Sequence, residues 1–499
     1  MNTIIADSIG VHDVTWRRSL ENHKQSLLNT LQQATTQATQ LQRSVLASCT
    51  WPIEHYDTIH AFTGSRLAGL GECFFWEQPV AQNALVGVGA ATTIETTGTT
   101  SFTDAATTWR ALMQDAVVSH IQNSSQAYGS GPVFFGGFAF DPLHPHTQLW
   151  EGFPDGLLVL PLFLLSYSQD SVSLTINRIM HAEDEVEQCA QEINSDAVRL
   201  FTAIENVSSL PQSRIDDETQ GALSIQDLRP ASDWMRQVAE TANEIRQGTY
   251  DKVVLARGIH VTPAHSENTF DIAVTLNRLR QSYPSAYIFA IQRGERFFVG
   301  ATPERLVQAQ NGQIHTMALA GSAPRGASEE EDEQIGLALL QSEKNNIEHA
   351  IVAAKVREAL LTHCSTVQVS HRPQLLKLKN VQHLETPIVG ELLPGRCILD
   401  VMADLHPTPA VGGFPRQAAL EAIRHVEQLD RGWYAGPLGW IGAGGHGEFA
   451  VALRSGLVAD KKATLFAGCG IVADSDPQSE YAESCLKLQV MLRSLSGKM

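Results

Sequence analysis

Cysteine, basic charge and long apolar runs are all scarce in this chain. Its cysteines, Cys49, Cys73, Cys189, Cys364, Cys397, Cys469 and Cys485, form no CxxC pair and have no histidine-rich neighbour. That spacing gives neither a zinc site nor a disulfide framework, and it fits free thiols in a reducing compartment. Lysine and arginine number 36 against 54 acidic residues, a formal net charge of -18. A nucleic-acid surface needs clustered cations to replace counterions, so no nucleic-acid partner is expected. An acidic enzyme can still bind an anion if a metal ion, a few basic residues or aimed backbone amides reverse the field locally. The most apolar run, LLVLPLFLL at 157–165, carries Pro161 and is far shorter than the roughly 20 residues of a spanning helix. It reads as one or two buried strands, with no membrane segment. The opening, MNTIIADSIGVHDVTWRRSL, lacks an apolar stretch of signal-peptide length, so a cytoplasmic protein is expected.

What is present is the composition of a folded protein, 499 residues with 43% hydrophobic and 18% charged. Length allows two to four domains or one large body. Leucines and alanines at three- and four-residue steps over 14–45 predict an amphipathic helix. From 60 to 180 strand-like runs dominate, among them CFFWEQP, ALVGVGAAT and VFFGGFAFDP. The polar, turn-rich segment 206–231 reads as linker-like, dividing an N-terminal half (1–205) from a region at 232–499. Ser232 or Asp233 is positioned to cap a helix with Trp234, Val238, Ala242 and Ile245 on one stripe and Gly248 at its end. Alternating runs joined by RGE and NG turns then predict an antiparallel meander. A long helix follows, with Ile347, Ile351, Val352, Val356 and Leu360 on one side, and a final helix begins near Pro477. Strands in hairpins and helices in separate runs make the fold α+β.

TYDKVVLARG, residues 249–258, sets a lysine into an apolar strand. Lys252 shares a face with Val254 and Ala256 and so looks the way a valine looks. Taken alone, an edge lysine reaching for water accounts for it. Glu304, just after Thr302 and Pro303, has its own plain explanation as a carboxylate at a helix start. Glu348 beside His349 is explained as well by an exposed ion pair. Glu480, Glu483 and Lys487, at i, i+3 and i+7, fall along one helical face, as an ion-pair ladder or a metal site would. The preceding strand places Gly468 and Gly470 around Cys469, which permits close backbone approach to a ligand. Carboxylates from two helices make an oxygen-only site that suits Mg²⁺ and not zinc.

Together these stretches resemble the chorismate-utilising enzymes, which share the anthranilate synthase component I-like fold, and within them the isochorismate synthases. KVVLAR, ATPERL, ALAGSAPRG, EHAIV, LHPTPAVGGFPR, RGWYAGPLGW, FAVALRS and GIVADSDPQSE occur in the family's order over about 230–499. FFWEQP and FFGGFAFDP are similar to the N-terminal half of the longer, quinone-pathway type. The resemblance implies large, mostly antiparallel β-sheets packed together with helices outside, both halves contributing to the same body. It implies an isomerase that turns chorismate into isochorismate, in menaquinone or siderophore biosynthesis. Lys252 would activate water and Glu304 would protonate the departing C4 hydroxyl. Glu348 and Glu483 match Mg²⁺ ligands, and Glu480 matches a second carboxylate near the ion. Tyr434 and Arg454 would hold the enolpyruvyl carboxylate, with Gly470 offering an amide, Lys487 a charge beside the metal and His383 a pocket histidine. Ala320 stands where aminodeoxychorismate synthase has a nucleophilic lysine, and ammonia-using relatives carry glutamine at the position of Lys252. No glutamine amidotransferase subunit is therefore expected. The alternative function is salicylate synthase, which forms isochorismate and then eliminates pyruvate.

Overall fold

Strand alternation decides which faces need cover, as Cys73–Gln78 shows. Phe74 and Trp76 enter one apolar core with Phe135, Phe138 and Phe298, whereas Cys73 and Phe75 enter another with Phe62, Phe201 and Leu276. A strand apolar on both faces must be covered twice. A computed structural model describes residues 15–120, 128–169, 171–209, 221–265, 268–377 and 381–496, and shows how this is done. A 13-stranded sheet and a 10-stranded sheet enclose the first core. Helices Thr15–Leu41, Thr58–Leu67, Val186–Ser208 and Ile272–Ser282 pack on the outer face of the larger sheet. Pairing is antiparallel almost throughout, with Val45–Ile53 and Val117–His120 running parallel. The α+β fold with stacked antiparallel sheets and outer helices is thus the observed one. No helix among the described residues is long and apolar enough to cross a membrane.

Strands from both ends of the chain share both sheets. Cys73–Gln78 pairs with Tyr287–Arg293 in the larger, and Val133–Phe138 with Pro437–Gly442 in the smaller. Of the linker-like segment, residues 206–208 finish the helix Val186–Ser208, and 210–220 lie outside the described residues. Leu223–Asp227 then adds a strand beside Ile259–Pro263. The helix after it, Ala231–Arg246, starts at Pro230 and has no side-chain cap, so neither Ser232 nor Asp233 caps it. Gly248 follows its end at φ +81°, as a terminating glycine should.

The chain steps between the sheets at several places, and the second and third of the three that follow position the site. Pro161 separates Gly156–Leu160 of the smaller sheet from Phe163–Ser168 of the larger. Pro303 and Glu304 separate Arg296–Thr302 of the larger from Arg305–Gln310 of the smaller. Leu453 and Arg454 lie between Gly447–Val451 of the smaller and Ser455–Ala459 of the larger. The expected meander therefore divides in two, and no helix follows Glu304. A proline has no amide for the ladder, so a strand can end there and its successor leave in another plane.

Candidate active site

The second and third steps run side by side and hold each other. Val451 N donates to Glu304 O at 2.9 Å, and Ala301 N to Arg454 O at 3.2 Å. The Thr302 hydroxyl donates to Val451 O and accepts from Glu304 N at 3.3 Å. Arg454 turns the corner with φ +50°. Glu304 and Arg454 are thereby fixed by backbone bonds at the place where the sheets part.

Lys252 opens the strand Lys252–Pro263, which is flanked on both sides. Gly468–Ile471 pairs with it along one side and Gly413–Phe414 along the other. Beyond Gly413 that second side is completed by a buried ion pair. Arg431 Nη2 donates to Val254 O at 2.7 Å, and Ala256 N donates to Glu427 Oε2 at 2.9 Å. Arg431 Nε and Glu427 Oε1 are 2.6 Å apart. Lys252 is accordingly no edge lysine. Burial pushes its pKa below the ordinary lysine value, against the pull of Glu348 and Glu304 and with the help of Lys487. A Cβ on Gly470 would stand 2.8 Å from Lys252 Cε, so only glycine leaves the lysine its course.

Glu304 shows the reverse effect. Burial raises its pKa to about 7, opposed by Lys252, Arg454 and Lys487. Leu306, Met317, Leu319, Val352 and Val356 line the cleft beside it and supply the apolar surroundings. The other predicted residues gather around this pair. Burial lowers the Arg454 pKa while Tyr434, Cys469, Glu483 and Glu304 raise it. Tyr434 is buried and stacks on Phe466 with ring centres 5.2 Å apart. A Cβ on Gly468 would lie 3.3 Å from its hydroxyl. His383 bonds the Gly321 backbone, and burial, Lys487 and Lys252 bring its pKa down to about 4, so it is neutral at pH 7. Ala320 is buried on the neighbouring strand, Gln313–Pro324.

The acidic groups come from two helices. In Pro477–Ser496, Lys487 Nζ lies 2.6 Å from Glu483 Oε1 and donates to Gly468 O at 2.8 Å. Glu480 Oε1 accepts from Ser475 Oγ at 2.7 Å. Ligand atoms of Cys469, Glu480 and Glu483 lie within 4.8 Å of one another. The Cys469 thiol donates to Glu480 O at 3.3 Å, and burial pushes its pKa up to about 12, so carboxylate oxygens are the donors at neutral pH. Glu348, in Glu343–Leu361, faces the same pocket closely enough to act on Lys252, though it lies outside that cluster of three. Oxygen donors of this kind fit a hard divalent cation.

Two features of the Glu348 helix escaped the sequence pattern. Ile347 and Ile351 are 58% and 44% exposed, so the buried stripe is His349, Val352, Ala353, Val356 and Leu360. His349 belongs to that stripe at the steps i, i+3, i+4, i+7 and i+11, a signal hidden because histidine is not counted as apolar. Arg431 and Glu427 were also missed. Their i, i+4 spacing was the only sign of them.

The family model described as chorismate binding enzyme matches residues 30–496. The chain is 36% identical to the isochorismate synthase MenF of Bacillus subtilis (strain 168) over 463 residues, 92% of this chain and 96% of that protein. It is also 36% identical to the salicylate biosynthesis isochorismate synthase of Pseudomonas aeruginosa over 472 residues, 95% of this chain and 94% of the other. Among solved structures, MenF, the menaquinone-specific isochorismate synthase from Escherichia coli, aligns with a TM-score of 0.71 at 26% identity. That alignment covers 94% of this chain and 99% of the other. Anthranilate synthase component I from Streptococcus pneumoniae shares the fold, with a TM-score of 0.66 at 21% identity over 84% of this chain and 93% of its own. Likeness that runs through both sheets and reaches from the first helix to the last assigns this chain to the chorismate-binding enzyme family.

Proposed function

We propose that the chain is an isochorismate synthase that adds water at C2 of chorismate and expels the C4 hydroxyl. One observation carries this reading: a single pocket pushes an amine towards its neutral form and a carboxyl towards its protonated form. That is the pairing a base and an acid need when one must take a proton and the other give one.

Lys252, uncharged, removes a proton from a water molecule as its oxygen bonds to C2. The ring double bond shifts, the C4–O bond breaks, and Glu304 delivers its proton to the leaving hydroxyl, which departs as water. One water enters and one leaves, so the reaction is an isomerisation. Afterwards Lys252 is cationic and Glu304 anionic, and one proton returned from the first to the second restores both. Arg454 and Tyr434 hold the enolpyruvyl carboxylate, with the Gly470 backbone amide as a further donor. Lys487 places positive charge near the ring carboxylate. Glu348, Glu483 and Glu480 would hold Mg²⁺, which supplies charge neutralisation for that carboxylate when bound. His383, neutral, lines the pocket beside Gly321. Water as nucleophile calls for no glutaminase subunit.

The test is purified protein with chorismate and Mg²⁺, the products separated by chromatography, and ammonium added to a parallel reaction. Isochorismate is expected in both, with no anthranilate and little pyruvate. Stoichiometric pyruvate would make the protein a salicylate synthase, and consumption of chorismate only with ammonium would overturn water as the nucleophile.

A further inference from the structure

His349 is 3% exposed and fully engaged. Its Nδ1 lies 3.2 Å from the Ala320 carbonyl and its Nε2 2.7 Å from Thr386 Oγ1. A carbonyl only accepts, so Nδ1 carries the hydrogen, and in the neutral ring Nε2 accepts from the Thr386 hydroxyl. Ala320 and Thr386 sit on adjacent strands, Gln313–Pro324 and Val381–Leu392. One ring therefore ties the helix to two strands at once. The register of those strands breaks between Ala320 and Ser322, where Gly321 takes φ +76°. A Cβ on Gly321 would lie 3.3 Å from Asn345 of the same helix.

Apolar packing cannot by itself set the rotation of this helix near Glu348. The buried apolar members of the stripe, Val352, Ala353, Val356 and Leu360, all lie on its C-terminal side, and Ile347 and Ile351 are exposed. Burial is non-directional, whereas two hydrogen bonds at fixed ring positions are not. A carboxylate carried about 5–6 Å from a helix axis moves about 2 Å for a rotation of about 20°. Misplacement of about 1 Å is enough to cost about 100-fold in rate.

We propose that His349 is a positioning residue: by bonding Ala320 and Thr386 it fixes the rotation of its helix and so aims the neighbouring Glu348 carboxylate at the metal. This rests on Glu348 being a metal ligand. His349→Leu keeps an apolar side chain but loses both bonds, while His349→Asn keeps a donor for the Ala320 carbonyl. Direct binding of Mn²⁺, read by its paramagnetic resonance signal without substrate, should weaken about 10-fold or more in the Leu variant. The Asn variant should recover most of that loss, and the Mg²⁺ concentration for half-maximal rate should move in parallel. Mn²⁺ affinity in the Leu variant within twofold of the parent, or Asn no better than Leu, overturns the proposal. If the Leu variant does not fold, Thr386→Val removes one bond alone and should weaken Mn²⁺ by about threefold, and an unchanged affinity again overturns it. Failure of the parent to bind Mn²⁺ would bring down the metal reading and this one together. A parent that binds Mn²⁺ beside an unaffected variant brings down only the role of His349.

Discussion

Removal from water penalises charge of either sign, and at Lys252 and Glu304 it acts on one of each. Glu304→Gln keeps the shape and hydrogen-bonding capacity but cannot give a proton, so turnover should fall by about 10²–10⁴-fold. Lys252→Ala should abolish turnover while leaving the far-ultraviolet dichroism unchanged. Turnover of the parent should decline as pH rises through about 7, because Glu304 then loses the proton it must donate. Stability carries the same sign. The folded state holds the Glu304 proton up to about pH 7 and the unfolded chain only to about 4.5, so stability from this group falls across that interval. Glu304→Gln escapes the loss, which is on the order of 3 kcal/mol. Spread over a chain of this length, the gain is about 3 °C in Tm at pH 8 and close to nothing at about pH 4, measurable by scanning calorimetry. Both residues were legible in the sequence only through the motifs around them. Each alone had an ordinary explanation, and the structure removes that of Lys252 by flanking its strand on both sides and that of Glu304 by following it with a strand in place of a helix.

Among elements, the hairpins were readable because their turns need particular residues. Gly294, Asn311 and Gly312 have φ of +56°, +53° and +76°, where glycine and asparagine are favoured. The sheet to which each strand belongs was not readable. Periodicity tells which face of a strand is apolar, and a strand apolar on both faces reads alike in either sheet. The steps at Pro303 and Leu453 were hidden for that reason, although they carry Glu304 and Arg454 to the pocket. The glycines of strand Lys462–Ile471 were read as room for a ligand to approach the backbone, and at Gly470 it is the Lys252 side chain that occupies such room. Gly470→Ala should displace the Lys252 amine, since the neighbour it meets is the movable end of a side chain. A fall in kcat of about 100-fold is expected with Tm within about 2 °C of the parent. Equal losses of rate and stability would show that the strand itself had shifted.

On the scale of the whole molecule, the polar stretch before residue 232 is no boundary for the sheets. Strands on either side of it pair directly, and Gln78 Nε2 and Tyr128 Oη, from before it, donate to the buried Glu448 after it. Expressed alone, residues 232–499 should therefore be insoluble or loosely folded, and co-expression with 1–209 should restore a soluble complex; a soluble, cooperatively melting fragment would contradict this. The paired steps between the sheets have a consequence for biosynthesis of the enzyme. Each half of a step gains its bonding partner only when the other arrives, and Glu483 and Lys487 belong to the last helix. With the roles proposed for Glu483 and Lys487, a growing chain on the ribosome should stay inert until Pro477–Ser496 has emerged, so the first turnover would mark the arrival of that helix.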